Sequence, residues 1–173
     1  MKKVSAREVL NAVSMIPGIW LGYTLLTRFH CGLVFPITYM LFSCASMSHH
    51  FHSAFFYYNH VLLRFDLLLQ QACAITVLCK EGELVRLMYV LFLAFMSMLI
   101  DLTKNKRFGY AINGIVMMIV ADFYGSDVKL MCLTNILIFM YGNITRSIHA
   151  HAVFHLFAHY IIFNISRQLC LLR

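Results

Sequence analysis

Apolar residues run along this chain in long blocks separated by short polar breaks. Seven blocks stand out, over residues 9–27, 33–54, 61–79, 84–102, 109–124, 128–142 and 148–170. The breaks carry charge, glycine and small polar residues: Arg28 to Gly32, Tyr57 to His60, Lys80 to Glu83, Lys104 to Arg107, Gly125 to Asp127, and Gly142 to Arg146. A helix that crosses a bilayer needs about 20 mainly apolar residues. The shorter blocks suit tilted helices or a locally thinned bilayer. No block alternates with the period of a barrel strand, and in hydrocarbon a helix satisfies its own backbone. The pattern predicts an all-α membrane protein, a seven-transmembrane-helix bundle with short loops, forming a single transmembrane domain over residues 1–173.

Composition agrees with this class. Hydrophobic residues make up 61% of the chain and charged ones 12%, whereas a soluble domain carries roughly 25% charged residues. The net charge of +7 does not point to nucleic acid, because the basic residues sit singly or in short clusters between apolar blocks. Membrane proteins place topology signals there. With seven crossings, one side holds Lys2, Lys3, Arg7, Arg64, Lys104, Lys106, Arg107 and Arg146, and the other Arg28, Lys80, Arg86, Lys129, Arg167 and Arg173. The bias predicts a multi-pass protein with a cytoplasmic amino terminus. Lys2, Lys3 and Arg7 precede the first block as in a signal peptide. No small-residue cleavage site follows, so an uncleaved first helix is expected. The six cysteines are scattered without a CxxC pair and read as small reduced hydrophobes.

Polar chemistry concentrates in three places. HAHAVFHLFAHY, residues 149–160, puts His151, His155 and His159 at i, i+4 and i+8, on one stripe of the seventh block. SMSHHFHS, residues 46–53, ends the second block, and Asp66 sits near the start of the third. In a seven-helix serpentine these three clusters fall at similar depth in one leaflet. A lone histidine such as His30 or His60 needs no function beyond the interface, Asp66 alone suits a helix start, and Phe154 and Phe157 suit packing. Several histidines and a carboxylate meeting at one depth are a different matter, because ionisable groups inside a membrane are costly. Three imidazoles with an open fourth position make a catalytic zinc pattern. Zinc brings the pKa of its water to about 7 and polarises a carbonyl. A carboxylate can take the proton and a serine hydroxyl can steady the oxyanion. The inventory points to hydrolysis of an amide or ester in a membrane lipid that enters sideways from the bilayer.

At these residues the chain resembles the CREST superfamily of seven-helix membrane proteins. That group includes alkaline ceramidases, progestin and adipoQ receptors, hemolysin-III-like proteins and GPI-lipid remodelling proteins. Its pattern is S-x-x-x-H late in helix two, Asp early in helix three and H-x-x-x-H in helix seven. HAVFHL, residues 151–156, is similar to the form seen in ceramidases and GPI-lipid remodellers. The resemblance implies zinc ligands at His151 and His155, with Asp66 as the adjoining carboxylate and His159 beyond the ligand set or behind it. Helix two offers two registers. SHHFH, residues 48–52, implies Ser48 and His52, the preferred pair; SMSHH, residues 46–50, implies Ser46 and His50 as the alternative. The chain is short for the superfamily, and no soluble domain is expected before its first helix, unlike in adiponectin receptors. It also lacks an acidic amino-terminal cluster like the calcium site of ceramidases.

Three classes of function follow. The leading expectation is a zinc-dependent intramembrane lipid hydrolase resembling alkaline ceramidase. In it His52, His151 and His155 hold zinc, Asp66 is the general base and Ser48 supports the oxyanion. The alternative is a receptor or structural zinc protein of the progestin/adipoQ type without turnover. A bis-histidine haem protein or a metal-ion transporter ranks below both. A transporter would carry polar groups through the full membrane thickness, and here, apart from residues such as Asn113 and Asn135, they gather at one end.

Overall fold

The computed structural model describes residues 4–29, 32–57, 59–78, 84–85, 87–89, 91–92, 114–119, 121–122 and 124–171. All regular structure among the described residues is helical: α1 (Ala6–Val13), α2 (Ile16–Thr27), α3 (Val34–Phe55), α4 (His60–Leu78), α5 (Ser126–Thr145) and α6 (Ala150–Leu171), with a further helical stretch at 114–119. Most of the expected fourth block and part of the fifth lie outside the described residues. So do the breaks at 80–83 and 104–107, together with His30 and Asn113. Three stretches, Ala6–Thr27, His60–Val77 and Ser126–Thr145, are long and apolar enough to cross a membrane. On α5, Leu130, Leu137 and Ile144 are 66%, 58% and 78% exposed. Apolar side chains turned outward in this way suit a helix facing hydrocarbon.

The first block is two helices rather than one. Pro17 has no N–H to give the carbonyl of Val13, and its ring would clash there; Val13 is where α1 ends. The turn between them tightens, with Met15 N–H donating to Ala12 O at 3.2 Å and Gly18 N–H to Met15 O at 3.0 Å. In an unbroken helix the Gly18 N–H would bond the carbonyl of Ser14. The break therefore frees that carbonyl for a partner elsewhere.

α3 has two faces. Tyr39, Ser43, Ser46 and His50 are buried along one stripe. Ile37, Leu41, Phe51 and Phe55 are exposed along the other. Pro36 stands in the first turn, where a missing N–H costs little. α4 starts at Asn59, whose Oδ1 accepts from Val61 N–H at 2.9 Å and Leu62 N–H at 3.3 Å, as a helix cap should. α3 packs against α1, α2 and α4, and α6 against α5, α1 and α2, so α1 touches both long helices. The apolar core runs through Leu25, Phe35, Tyr39, Val77, Val128 and Ile161. It lies beside the buried polar groups of α3 and α6.

Close approach of α2 to α3 and α6 depends on Gly18. A Cβ there would run into the His159 ring and Ser43 Oγ. Because His159 is held by its own hydrogen bonds, it cannot swing away cheaply. We expect Gly18→Ala to cost about 1–3 kcal/mol, the usual range for overpacking, read as a lower thermal unfolding midpoint in detergent. An unchanged midpoint would contradict the close approach.

Candidate metal centre

Three histidines from two helices converge. His50 lies near the end of α3, and His151 and His155 lie one turn apart at the start of α6. Each offers a ring nitrogen, and these nitrogens lie within 4.8 Å of one another. The ring centroids are 5.2 Å apart for His50 and His151, 5.1 Å for His50 and His155, and 4.7 Å for His151 and His155. His50 and His155 are buried and His151 is half-buried. His151 sits edge-on to Phe139 and Phe154, with centroids at 5.5 and 5.8 Å. The group can hold a metal ion. Tetrahedral zinc with Zn–N near 2.0–2.1 Å needs nitrogens roughly 3.4 Å apart, so only a small inward movement of the rings is required. Three imidazoles also suit copper, iron or nickel.

The hydrogen bonds around the rings decide which nitrogen faces the centre. His50 Nδ1–H donates to Glu8 Oε2 at 2.7 Å. Ser14 Oγ–H donates to Asn11 O at 2.6 Å, which commits the only proton that hydroxyl has. Towards His155 Nδ1, 2.9 Å away, Ser14 Oγ can then only accept. The Asn11 carbonyl, 3.4 Å from the same nitrogen, also only accepts. Both partners require the proton on His155 Nδ1. In His50 and His155 alike, Nε2 is left with its lone pair, as a metal ligand needs.

His159 is bonded differently. Its Nε2–H donates to the Ser14 carbonyl at 3.2 Å, the carbonyl released by the helix break. Its Nδ1 accepts from the Tyr39 hydroxyl. With both ring nitrogens engaged, His159 lies outside the three-histidine group and braces the turn at Ser14.

In helix two, the structure brings in the alternative register. Residues four apart share a helix face, whereas residues two apart point roughly 200° away from each other. Ser46 and His50 are buried and face the site. Ser48 is exposed, and its hydroxyl donates to its own helix at Cys44 O, 2.8 Å away. The His52 ring lies against Phe56, centroids 5.1 Å apart, away from the three-histidine group. Asp66 on α4 and Ser46 on α3 face the same space. Asp66, Ser46 and all three histidines line one cavity of about 160 Å³. Beyond them its walls are mostly apolar, including Phe42, Leu63, Val77 and Ile165, with Tyr39, His49, Gln70 and His159 as further polar groups. From His151 to Ile165 the wall follows α6 for roughly 21 Å at 1.5 Å per residue.

Glu8, Asn11 and Ser14 did not emerge from the sequence as site residues. One signal was present: they recur at i, i+3 and i+6 on one helical face, and Glu8 is the only acidic residue before Asp66. Its meaning depended on which helices α1 packs against. Compared with protein-family models, with curated proteins and with solved structures, the chain finds no match.

The ligand set makes a direct prediction. In detergent-purified, metal-loaded protein, mass spectrometry should find about one ion per chain, as a single three-histidine site would hold. His50→Ala and His151→Ala should lose it, and His52→Ala should keep it. Loss in His52→Ala with retention in His50→Ala would move the helix-two ligand to position 52.

Proposed function

We propose that the chain is a zinc-dependent intramembrane hydrolase of a lipid amide or ester, resembling alkaline ceramidase within the CREST superfamily. On this reading it is a seven-helix bundle with its amino terminus in the cytoplasm. One observation carries the proposal: the three-histidine group, Asp66 and Ser46 all line a single cavity whose remaining walls are mostly apolar. A structural metal site gains nothing from opening onto such a space, whereas a lipid hydrolase needs it. The polar end would receive the carbonyl, and the apolar walls would take the acyl chain.

His50, His151 and His155 would hold the ion. Zinc, when bound, supplies a Lewis acid that activates water and polarises a carbonyl. The rest falls to the chain's own side chains. Asp66 accepts a proton from the attacking water and returns it to the departing amine or alkoxide. The products are a carboxylic acid and the freed amine or alcohol. Ser46, in the same cavity lining as Asp66, would support the oxyanion. It takes the role first expected of Ser48, whose hydroxyl is turned to its own backbone.

The test is release of fatty acid from N-acyl sphingoid bases and acyl glycerolipids, with zinc-loaded protein in detergent and His151→Ala as the control. Asp66→Asn should retain zinc and lose turnover by about 10²–10⁴-fold, the usual contribution of a general base. Full activity in that variant would remove Asp66 from the reaction. Protein that keeps zinc and cleaves no lipid amide or ester would favour the receptor or structural-zinc alternative.

A further inference from the structure

The apolar site has a polar support that the proposed reaction does not use. α1 and the turn that ends it place three oxygen acceptors against histidines of two other helices. Glu8 Oε2 takes the proton of His50 Nδ1 at 2.7 Å. Ser14 Oγ takes that of His155 Nδ1 at 2.9 Å, and the Ser14 carbonyl takes that of His159 Nε2 at 3.2 Å. α1 packs on both α3 and α6, and the Ser5 N–H ties its start to Ala54 O at 3.2 Å. A buried charge is kept where it is paired, and the hydrogen bond to His50 is the direct pairing of the Glu8 carboxylate.

We propose that Glu8 and Ser14 are positioning residues for the metal. They hold His50 and His155 as Nδ1–H tautomers, with both Nε2 lone pairs turned into the site. This rests on the metal reading of the three histidines, and it assigns the first helix a part in it. The two contacts differ in kind. Glu8 brings a carboxylate, which fixes the tautomer and also makes the imidazole a stronger donor. Ser14 brings a neutral oxygen that fixes the tautomer alone. Asn11 O stands at 3.4 Å as a second acceptor for the same proton. Glu8 should therefore matter more than Ser14. Replacing Glu8 by glutamine should keep the acceptor and remove the charge.

The experiment is zinc affinity by competition with a chromogenic chelator, on the detergent-purified full chain. The proteins are wild type, Glu8→Ala, Glu8→Gln and Ser14→Ala, each also loaded with cobalt for its visible spectrum. Glu8→Ala should bind zinc about 10–100-fold more weakly, the range for loss of an outer partner of a ligating histidine. Glu8→Gln should recover part of that loss, and Ser14→Ala should lose less than Glu8→Ala. The cobalt spectrum of Glu8→Gln should keep the wild-type shape, since the ligands are unchanged. A contact that served only folding would instead lower the unfolding midpoint of the metal-free protein and leave the affinity of folded protein intact. If wild type binds zinc and both Glu8 variants bind it equally well, the positioning role is wrong and the metal site stands. If folded wild type binds neither zinc nor cobalt, the metal reading falls and the positioning role falls with it. Should Glu8→Ala fail to fold, Glu8→Gln against wild type decides.

Discussion

An imidazole buried among apolar side chains must find partners for its nitrogens inside the protein. This constraint organises the structure. In a protein interior an unpaired polar group costs a few kcal/mol. His50, His155 and His159 are buried together, and each is answered by an acceptor or donor from another helix. Packing of α1, α3 and α6 and satisfaction of the histidines are thus one problem with one solution. None of the three helices can shift by a residue without stranding a ring nitrogen.

The break at Ser14 shows how a local defect serves that solution. Proline lacks the N–H that a continuous helix would need at position 17. The cost falls on a single turn, and the return is a free carbonyl and a hydroxyl facing α6. Gly18 then lets α2 lie close enough for His159 to reach that carbonyl, since a side chain there would occupy the place of the ring. Helix rupture, close approach and hydrogen bonding belong to one arrangement around residues 14–18.

The site is polar at one end and apolar along its length. Asp66 on α4 and Ser46 on α3 share the cavity lining with the histidines of α3 and α6, and the cavity continues between mostly apolar walls. On the proposed reading, such a space would accept an amphiphile in one orientation, polar group towards the histidines. That directionality is what the proposed hydrolysis of a membrane lipid would require.

The sequence by itself determined the helical class, because its long apolar blocks carry no strand alternation. It also determined the stripe of His151, His155 and His159, because residues four apart on a helix must share a face. The polar breaks marked the ends of α3, α5 and α6 to within a few residues. Only the tertiary structure showed which of the pairs Ser48–His52 and Ser46–His50 faces the histidines of α6. Both pairs have the same spacing, and the choice depends on which face of α3 turns inward, set by packing against α1, α2 and α4. The same holds for His159, whose exclusion from the ligand group follows from Tyr39 and the Ser14 carbonyl, partners far away along the chain. Glu8 was visible as an acid at the start of an apolar block. Its partner lies 42 residues away on another helix, and a periodicity within one helix carries no information about the neighbour across the interface.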